Sequence, residues 1–211
     1  MATAAATKRA VEVLVFEGFE ILDVMGPIEL FGMFPEVFDV QLVAEGSGPI
    51  ASTQGPRVCV DRELSDTAND GIVLVPGGRG TRREVGNAAL LEWISRAANT
   101  AEYLTSVCTG SALLAKAGVL DGKRATSNKL SLDWVISQGP SVTWVKEARW
   151  VRDGKFVTSS GVSAGMDMTL DIIASILGEE AADEAALRAE STWHRDANID
   201  PFAAAHRKGG R

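Results

Sequence analysis

Cysteine and histidine are scarce in this chain, with two of each among 211 residues. Two cysteines in unlike surroundings do not make a disulfide framework, so a reducing cytoplasm is the default compartment. No Cys/His cluster has metal-ligand spacing, and neither a metal nor an organic cofactor is expected. No run approaches the roughly 18 apolar residues that a membrane helix needs. The segment from Met1 to Arg9 lacks a long apolar core and reads as neither signal peptide nor anchor. Internal repeats and low-complexity tracts are absent. The net charge of −7 argues against nucleic acid or an anionic membrane surface as the main partner.

What the chain does contain is an ordinary soluble composition, 45% hydrophobic and 23% charged, with enough length for one α/β domain. Short apolar strands are expected at Val11–Phe16, Phe38–Ala44, Ile72–Val75 and Glu102–Val107. Helices are expected at Leu22–Phe34, Ala88–Thr100 and Ala112–Gly118. Gly46–Pro49 and Thr53–Pro56 punctuate an excursion or hairpin. Farther on, strands are expected at Arg124–Ser127, Val142–Val145, Ala148–Val151 and Lys155–Ser159, and helices at Leu130–Gln138, Ser163–Leu177 and Glu180–Trp193. This alternation predicts a doubly wound, mostly parallel sheet flanked by helices, a flavodoxin-like sandwich over residues 9–195, with 196–211 as a tail. Ligands of such sheets bind outside the carboxyl ends of the strands.

The most informative stretch is Ser106-Val-Cys-Thr-Gly-Ser111, where a strand turns abruptly into a helix among small residues. This geometry exposes Cys108 at a strand end and aims helix N–H groups at it, as in the hydrolase nucleophile elbow. The expectation is a nucleophilic thiol with a lowered pKa, set against the general reading of a free cysteine as a small buried hydrophobe. Cys59, in the alternating Arg57-Val-Cys-Val60, reads as a structural strand residue. Pro76-Gly-Gly-Arg-Gly80 lacks the residues of a phosphate loop and the spacing of a dinucleotide fingerprint. It is either a tight turn or a place where unshielded backbone N–H groups approach a reacting atom.

A cysteine nucleophile commonly works with histidine. Here His194 follows the last expected helix and His206 lies in the tail, so neither is well placed. Asp23, just after the first strand, is the better partner; its competing reading is a helix N-cap. Glu17 and Glu20 rank behind it.

These motifs resemble the ThiJ/PfpI superfamily, whose fold is similar to that of class I glutamine amidotransferases. The resemblance runs through the acidic residue after strand one, Val75-Pro-Gly-Gly78, Ser106-Val-Cys-Thr-Gly110, Gly122-Lys-Arg-Ala-Thr126 and Thr158–Gly165. Within it, Leu22-Asp-Val-Met-Gly-Pro27 looks like the isocyanide hydratase branch, which also includes amidase-like domains of transcription regulators. The resemblance implies Cys108 as nucleophile and Asp23 as its carboxylate partner. It further implies that Thr109 places reactants through its hydroxyl, with the N–H groups of Gly78 and Thr109 stabilising negative charge. It also implies a homodimer. Many members carry histidine where this chain has Asn128, which argues against a His-dependent peptidase-like mechanism. The chain ends soon after its last expected helix, so no DNA-binding domain is expected to follow.

The activity so implied is hydration of a small electrophilic isocyanide through a thioimidate on Cys108. Gly77, Ile21, Asn128, Trp150 and Val162 are candidates to line the pocket, though Ile21, Trp150 and Val162 also read as core. Two alternatives use the same residues: a cofactor-independent glyoxalase acting on α-oxoaldehydes, and a non-enzymatic redox sensor at Cys108.

Overall fold

The computed structural model describes residues 8–204. β1 (Arg9–Leu14) leads into α1 (Ile21–Gly32) and then β2 (Phe38–Ala44). A short hairpin, β3 (Ile50–Ala51) and β4 (Arg57–Val58), and the edge strand β5 (Arg62–Glu63) follow. β6 (Ile72–Val75), α2 (Thr81–Glu84), α3 (Ala88–Thr100), β7 (Tyr103–Ser106) and α4 (Gly110–Lys116) form the middle of the chain. β8 (Arg124–Ala125), α5 (Leu132–Gln138), β9 (Thr143–Trp144), β10 (Trp150–Asp153), β11 (Phe156–Ser159), α6 (Ala164–Leu177) and α7 (Glu179–Arg188) complete it.

The main sheet has the order β10-β11-β7-β6-β1-β2-β5. Its pairings are parallel except for the β10–β11 hairpin. This is the doubly wound α/β sandwich that the alternating apolar runs imply. β6 has all four residues buried because helices cover both faces, which is why its pattern is continuous rather than alternating. From β1 the chain moves to β2 on one side and later to β6 on the other. The strand order therefore reverses between β1 and β6, where such sheets leave a crevice at the carboxyl ends.

Several expectations change. Cys59 is exposed and follows the end of β4, because the hairpin pairs only two residues on each arm; it is not a structural strand residue. Val142–Val145 contributes β9 to a separate two-stranded sheet with β8, outside the main sheet. α7 stops at Arg188 instead of reaching Trp193. Glu190 takes a left-handed conformation (φ 48°) and the Ser191 N–H returns to the Ala186 carbonyl, which closes the helix. The expected tail is docked over 196–204: Arg149 N–H donates to Ala197 O, and Asp200 N–H donates to Glu147 O at 2.7 Å. His206 lies outside the described residues. No helix among the described residues is long and apolar enough to cross a membrane.

Candidate active site

Three chain segments meet at the carboxyl end of the sheet: the start of α1, the turn after β6 and the turn after β7. Asp23 enters from α1, where it is fully buried. It does not cap the helix, because Glu20 holds the N-cap position. Its Oδ2 instead accepts the Gly77 N–H at 2.8 Å, which ties α1 to the β6 turn. Its Oδ1 has no hydrogen-bond partner among the described residues, and the carboxyl interacts with the Cys108 thiol.

Cys108 has φ 57°, a left-handed conformation that few non-glycine residues adopt. Three hydrogen bonds fix it: its N–H donates to Ser160 O at 3.0 Å, and its carbonyl accepts from Ser127 Oγ at 2.8 Å and Ser111 Oγ at 3.1 Å. Strain held this firmly is a mark of functional turns. Val162, a β-branched residue also at positive φ (47°), stands over the same turn. The N–H groups of Thr109 and Val162 reach the Cys108 sulfur.

Gly77 is required by contact. A Cβ there would lie 2.6 Å from Thr109 N and 2.8 Å from Cys108 Cβ, so the β6 turn can approach the elbow only without a side chain. The Gly78 N–H, expected to stabilise negative charge on the substrate, is already engaged at 3.1 Å by Thr109 Oγ1. Thr81 Oγ1 in turn donates to Thr109 Oγ1 at 3.2 Å. The Thr109 hydroxyl thus braces the β6 turn against the elbow and also interacts with the Cys108 sulfur, which the N–H groups of Thr109 and Val162 face.

The electrostatics differ from the lowered thiol pKa expected of an elbow. Burial, with the charge of Asp23 behind it, pushes the Cys108 thiol well above its ordinary range, against the hydrogen bonds from Thr109 and Val162. Asp23 is itself pushed up to about 8 by burial, opposed by the Gly77 N–H. Both shifts favour the protonated, uncharged form of the pair.

An open cleft of about 570 Å³ reaches the sulfur, with Glu20, Gln54, Arg82, Asn128 and Val162 among its lining residues. Asn128 and Val162 were expected at the pocket and stand there. Asn128 Oδ1 caps the turn that follows, accepting the N–H of Leu130 and of Ser131. Trp150 is buried in β10 within the core, because the antiparallel hairpin turns its side chain inward. Ile21 packs on the core, and its N–H donates to Gln54 Oε1 at 3.1 Å. Neither lines the cleft. His194 is held elsewhere, by Asp167 and the Ile199 carbonyl. Glu17 lines a separate cavity of about 490 Å³ with Phe16, Glu45, Arg83 and Glu84.

Residues missed in the sequence are Arg82, Gln54 and Ser160. Arg82 had one signal, its place just after the glycine turn. Gln54 had none, since its role depends on loop packing, and Ser160 stood only as one residue of the Thr158–Gly165 motif. No group of three or more His, Cys, Asp or Glu side chains among the described residues converges on a metal site.

The sequence model of the DJ-1/PfpI family matches residues 9–175. An isonitrile hydratase from Pseudomonas putida is 34% identical over 177 residues, 84% of this chain and 76% of that protein. An HTH-type transcriptional regulator from Pseudomonas aeruginosa is 28% identical over 173 residues, 80% of this chain but 51% of the regulator. Among solved structures, a ThiJ/PfpI family protein from Pseudomonas syringae superposes with a TM-score of 0.81 at 30% identity, covering 96% of this chain and 81% of that one. DJ-1beta of Drosophila melanogaster superposes with a TM-score of 0.77 at 20% identity, over 89% and 100% of the two chains, a likeness of fold alone.

Proposed function

Because this chain belongs to the DJ-1/PfpI family, we propose that its acid–thiol centre hydrates an isocyanide to an N-substituted formamide. The observation that carries this reading is the Asp23 carboxyl, fully buried beside the Cys108 thiol, where burial favours the protonated form of both groups. The terminal carbon of R–N≡C must gain both a nucleophile and a proton. A neutral acid beside a neutral thiol supplies both without leaving a full charge in a buried site. The isonitrile hydratase likeness supports the same chemistry.

In the first step the Cys108 sulfur bonds to the terminal carbon. Asp23 gives its proton to that carbon and takes the thiol proton, leaving the thioimidate R–N=CH–S. In the second step water adds to the same carbon, its oxygen bonding there while one of its protons reaches nitrogen through Asp23. The C–S bond then breaks, the remaining hydroxyl proton returns to sulfur, and R–NH–CHO departs. Each cycle consumes one isocyanide and one water and restores both groups. The N–H groups of Thr109 and Val162, aimed at the sulfur, stabilise it as negative charge develops.

The pair also bears on the alternatives. A thiol kept protonated by burial reacts slowly with peroxide, because the thiolate is the reactive form, and this counts against a redox sensor. The reading retains a homodimer, which the resemblance implies, and a cytoplasmic location.

Parallel incubations with an aryl isocyanide and with methylglyoxal test the reaction class. Formamide is the product expected. Lactate from methylglyoxal with no formamide from the isocyanide would replace hydration by glyoxalase chemistry.

A further inference from the structure

The charged residues around the cleft are Arg79, Arg82 and Glu20, an excess of positive charge in a protein whose net charge is −7. Glu20 is turned to a neighbour, since its Oε1 accepts the Gln54 amide at 2.6 Å. Arg82 is held in place. Its guanidinium lies 3.7 Å from the Trp134 ring centroid and donates to Ser131 Oγ at 3.2 Å and Thr81 Oγ1 at 3.4 Å. Stacking on an indole and bonding to hydroxyls remove much of the rotamer freedom of an exposed arginine. A guanidinium has five N–H donors in a planar fork, of which these hydroxyls take two. Arg82 and Cys108 line the same cleft, so a compound seated at the sulfur lies along the wall that carries the guanidinium. Among the described lining residues, Val162 is the one aliphatic side chain.

We infer that Arg82 forms an anion subsite beside Cys108, and that the electrophile is a small carboxylate-bearing compound rather than a purely apolar one. A carboxylate is planar and accepts two parallel hydrogen bonds, matching the guanidinium fork. Arg79 adds attraction at longer range along the same wall. The substrate half of this inference, a carboxylate-bearing isocyanide, rests on the hydratase reading; the anion subsite does not.

Two pairs of probes that differ in charge test the halves separately. The first pair is iodoacetate and iodoacetamide. Each alkylates a thiol by forming an S–C bond as the C–I bond breaks, with iodide leaving and the thiol proton passing to buffer. Exposed Cys59 on the same molecule gives the reference ratio of the two rates. The iodoacetate-to-iodoacetamide ratio at Cys108 should exceed that at Cys59 by about tenfold or more. Arg82→Gln should bring this ratio down to the Cys59 value, whatever it does to the absolute rates, because a change in thiol reactivity affects both reagents alike. Equal ratios at the two cysteines of the wild type would overturn the subsite without any variant, and so would a Cys108 ratio unmoved in folded Arg82→Gln.

The second pair is isocyanoacetate and its methyl ester, compared by kcat/KM for formamide formation. The carboxylate should be favoured in the wild type, and Arg82→Gln should lower the ratio of its kcat/KM to that of the ester by about tenfold. Preference for the ester in the wild type overturns the substrate half. A charge preference in alkylation with no formamide from either isocyanide supports the subsite and removes the hydratase reading.

Discussion

The carboxylate of Asp200 accepts the hydroxyl of Ser160, forty residues earlier in the chain. The carbonyl of the same serine accepts the Cys108 N–H, and its own N–H donates to Arg149 O at 2.7 Å. Lys129 Nζ stands 3.6 Å from one oxygen of Asp200, Arg149 stands 3.6 Å from the other, and Arg149 also pairs with Asp167 at 2.6 Å. A buried knot of charge thus backs the turn that bears the candidate nucleophile, and the C-terminal segment ties it.

Asp200→Ala leaves the Lys129 ammonium, whose side chain is 2% exposed, without its carboxylate. Removing one partner of a buried pair typically costs about 3–5 kcal/mol. A loss of that order is expected in urea unfolding, and the double variant Lys129→Met/Asp200→Ala should recover much of it. An Asp200→Ala midpoint equal to wild type would show that the knot carries no stability.

Asp23 carries a pH signature. Its folded pKa of about 8 lies above the ordinary value of 3.8, so between those limits the folded state binds the additional proton. The stability this confers is complete below about pH 4 and is lost as pH rises through about 8. The slope from this one group is at most about 1.4 kcal/mol per pH unit. Asp23→Asn should remove it, as read from unfolding free energies between pH 5 and pH 8, roughly the window in which the group is linked. Formamide production should fall through the same upper limit, because the proposed route takes its proton from the acid form of Asp23.

Gly77→Ala and Gly32→Ala should act in opposite directions. The first drives a methyl group to 2.6 Å from Thr109 N and displaces the elbow; the second meets nothing within 4 Å near the end of α1. Gly77→Ala is expected to destabilise by about 1–3 kcal/mol and to cost about a hundredfold in turnover, as misplacement of a reacting group does. Gly32→Ala is expected to stabilise by about 0.5–1 kcal/mol, with turnover unchanged. Thermal melts and a turnover assay on the two variants check both signs.

Thr109→Val removes the oxygen that accepts the Gly78 N–H. Stranding that donor should cost about 1–3 kcal/mol. Thr109→Ser keeps the oxygen and should hold both stability and turnover. Equal losses in the two variants would point to the methyl group rather than the hydroxyl.

The fold was legible where apolar runs are long. Ile72–Val75 and Ala88–Thr100 have the bounds that their patterns imply. Legibility failed where tertiary contact decides: the short pairing that leaves Cys59 exposed, the left-handed Glu190 that ends α7, and Asp200 buried out of an expected tail. At the site, Cys108, Asp23 and the glycine turn were readable because each follows a strand, and strand ends share one rim. The charge state of the centre was not, since a strand-to-helix turn reads the same whether its thiol is wet or buried. Arg82 escaped notice because an arginine just past a glycine turn is unremarkable until Trp134 is found beneath it.

The measurement that bears most directly on the account is formamide production from a simple aryl isocyanide by the wild type and by Cys108→Ala side by side. The account predicts turnover in the wild type and loss of turnover in Cys108→Ala. Undiminished turnover in Cys108→Ala would contradict the covalent thioimidate route.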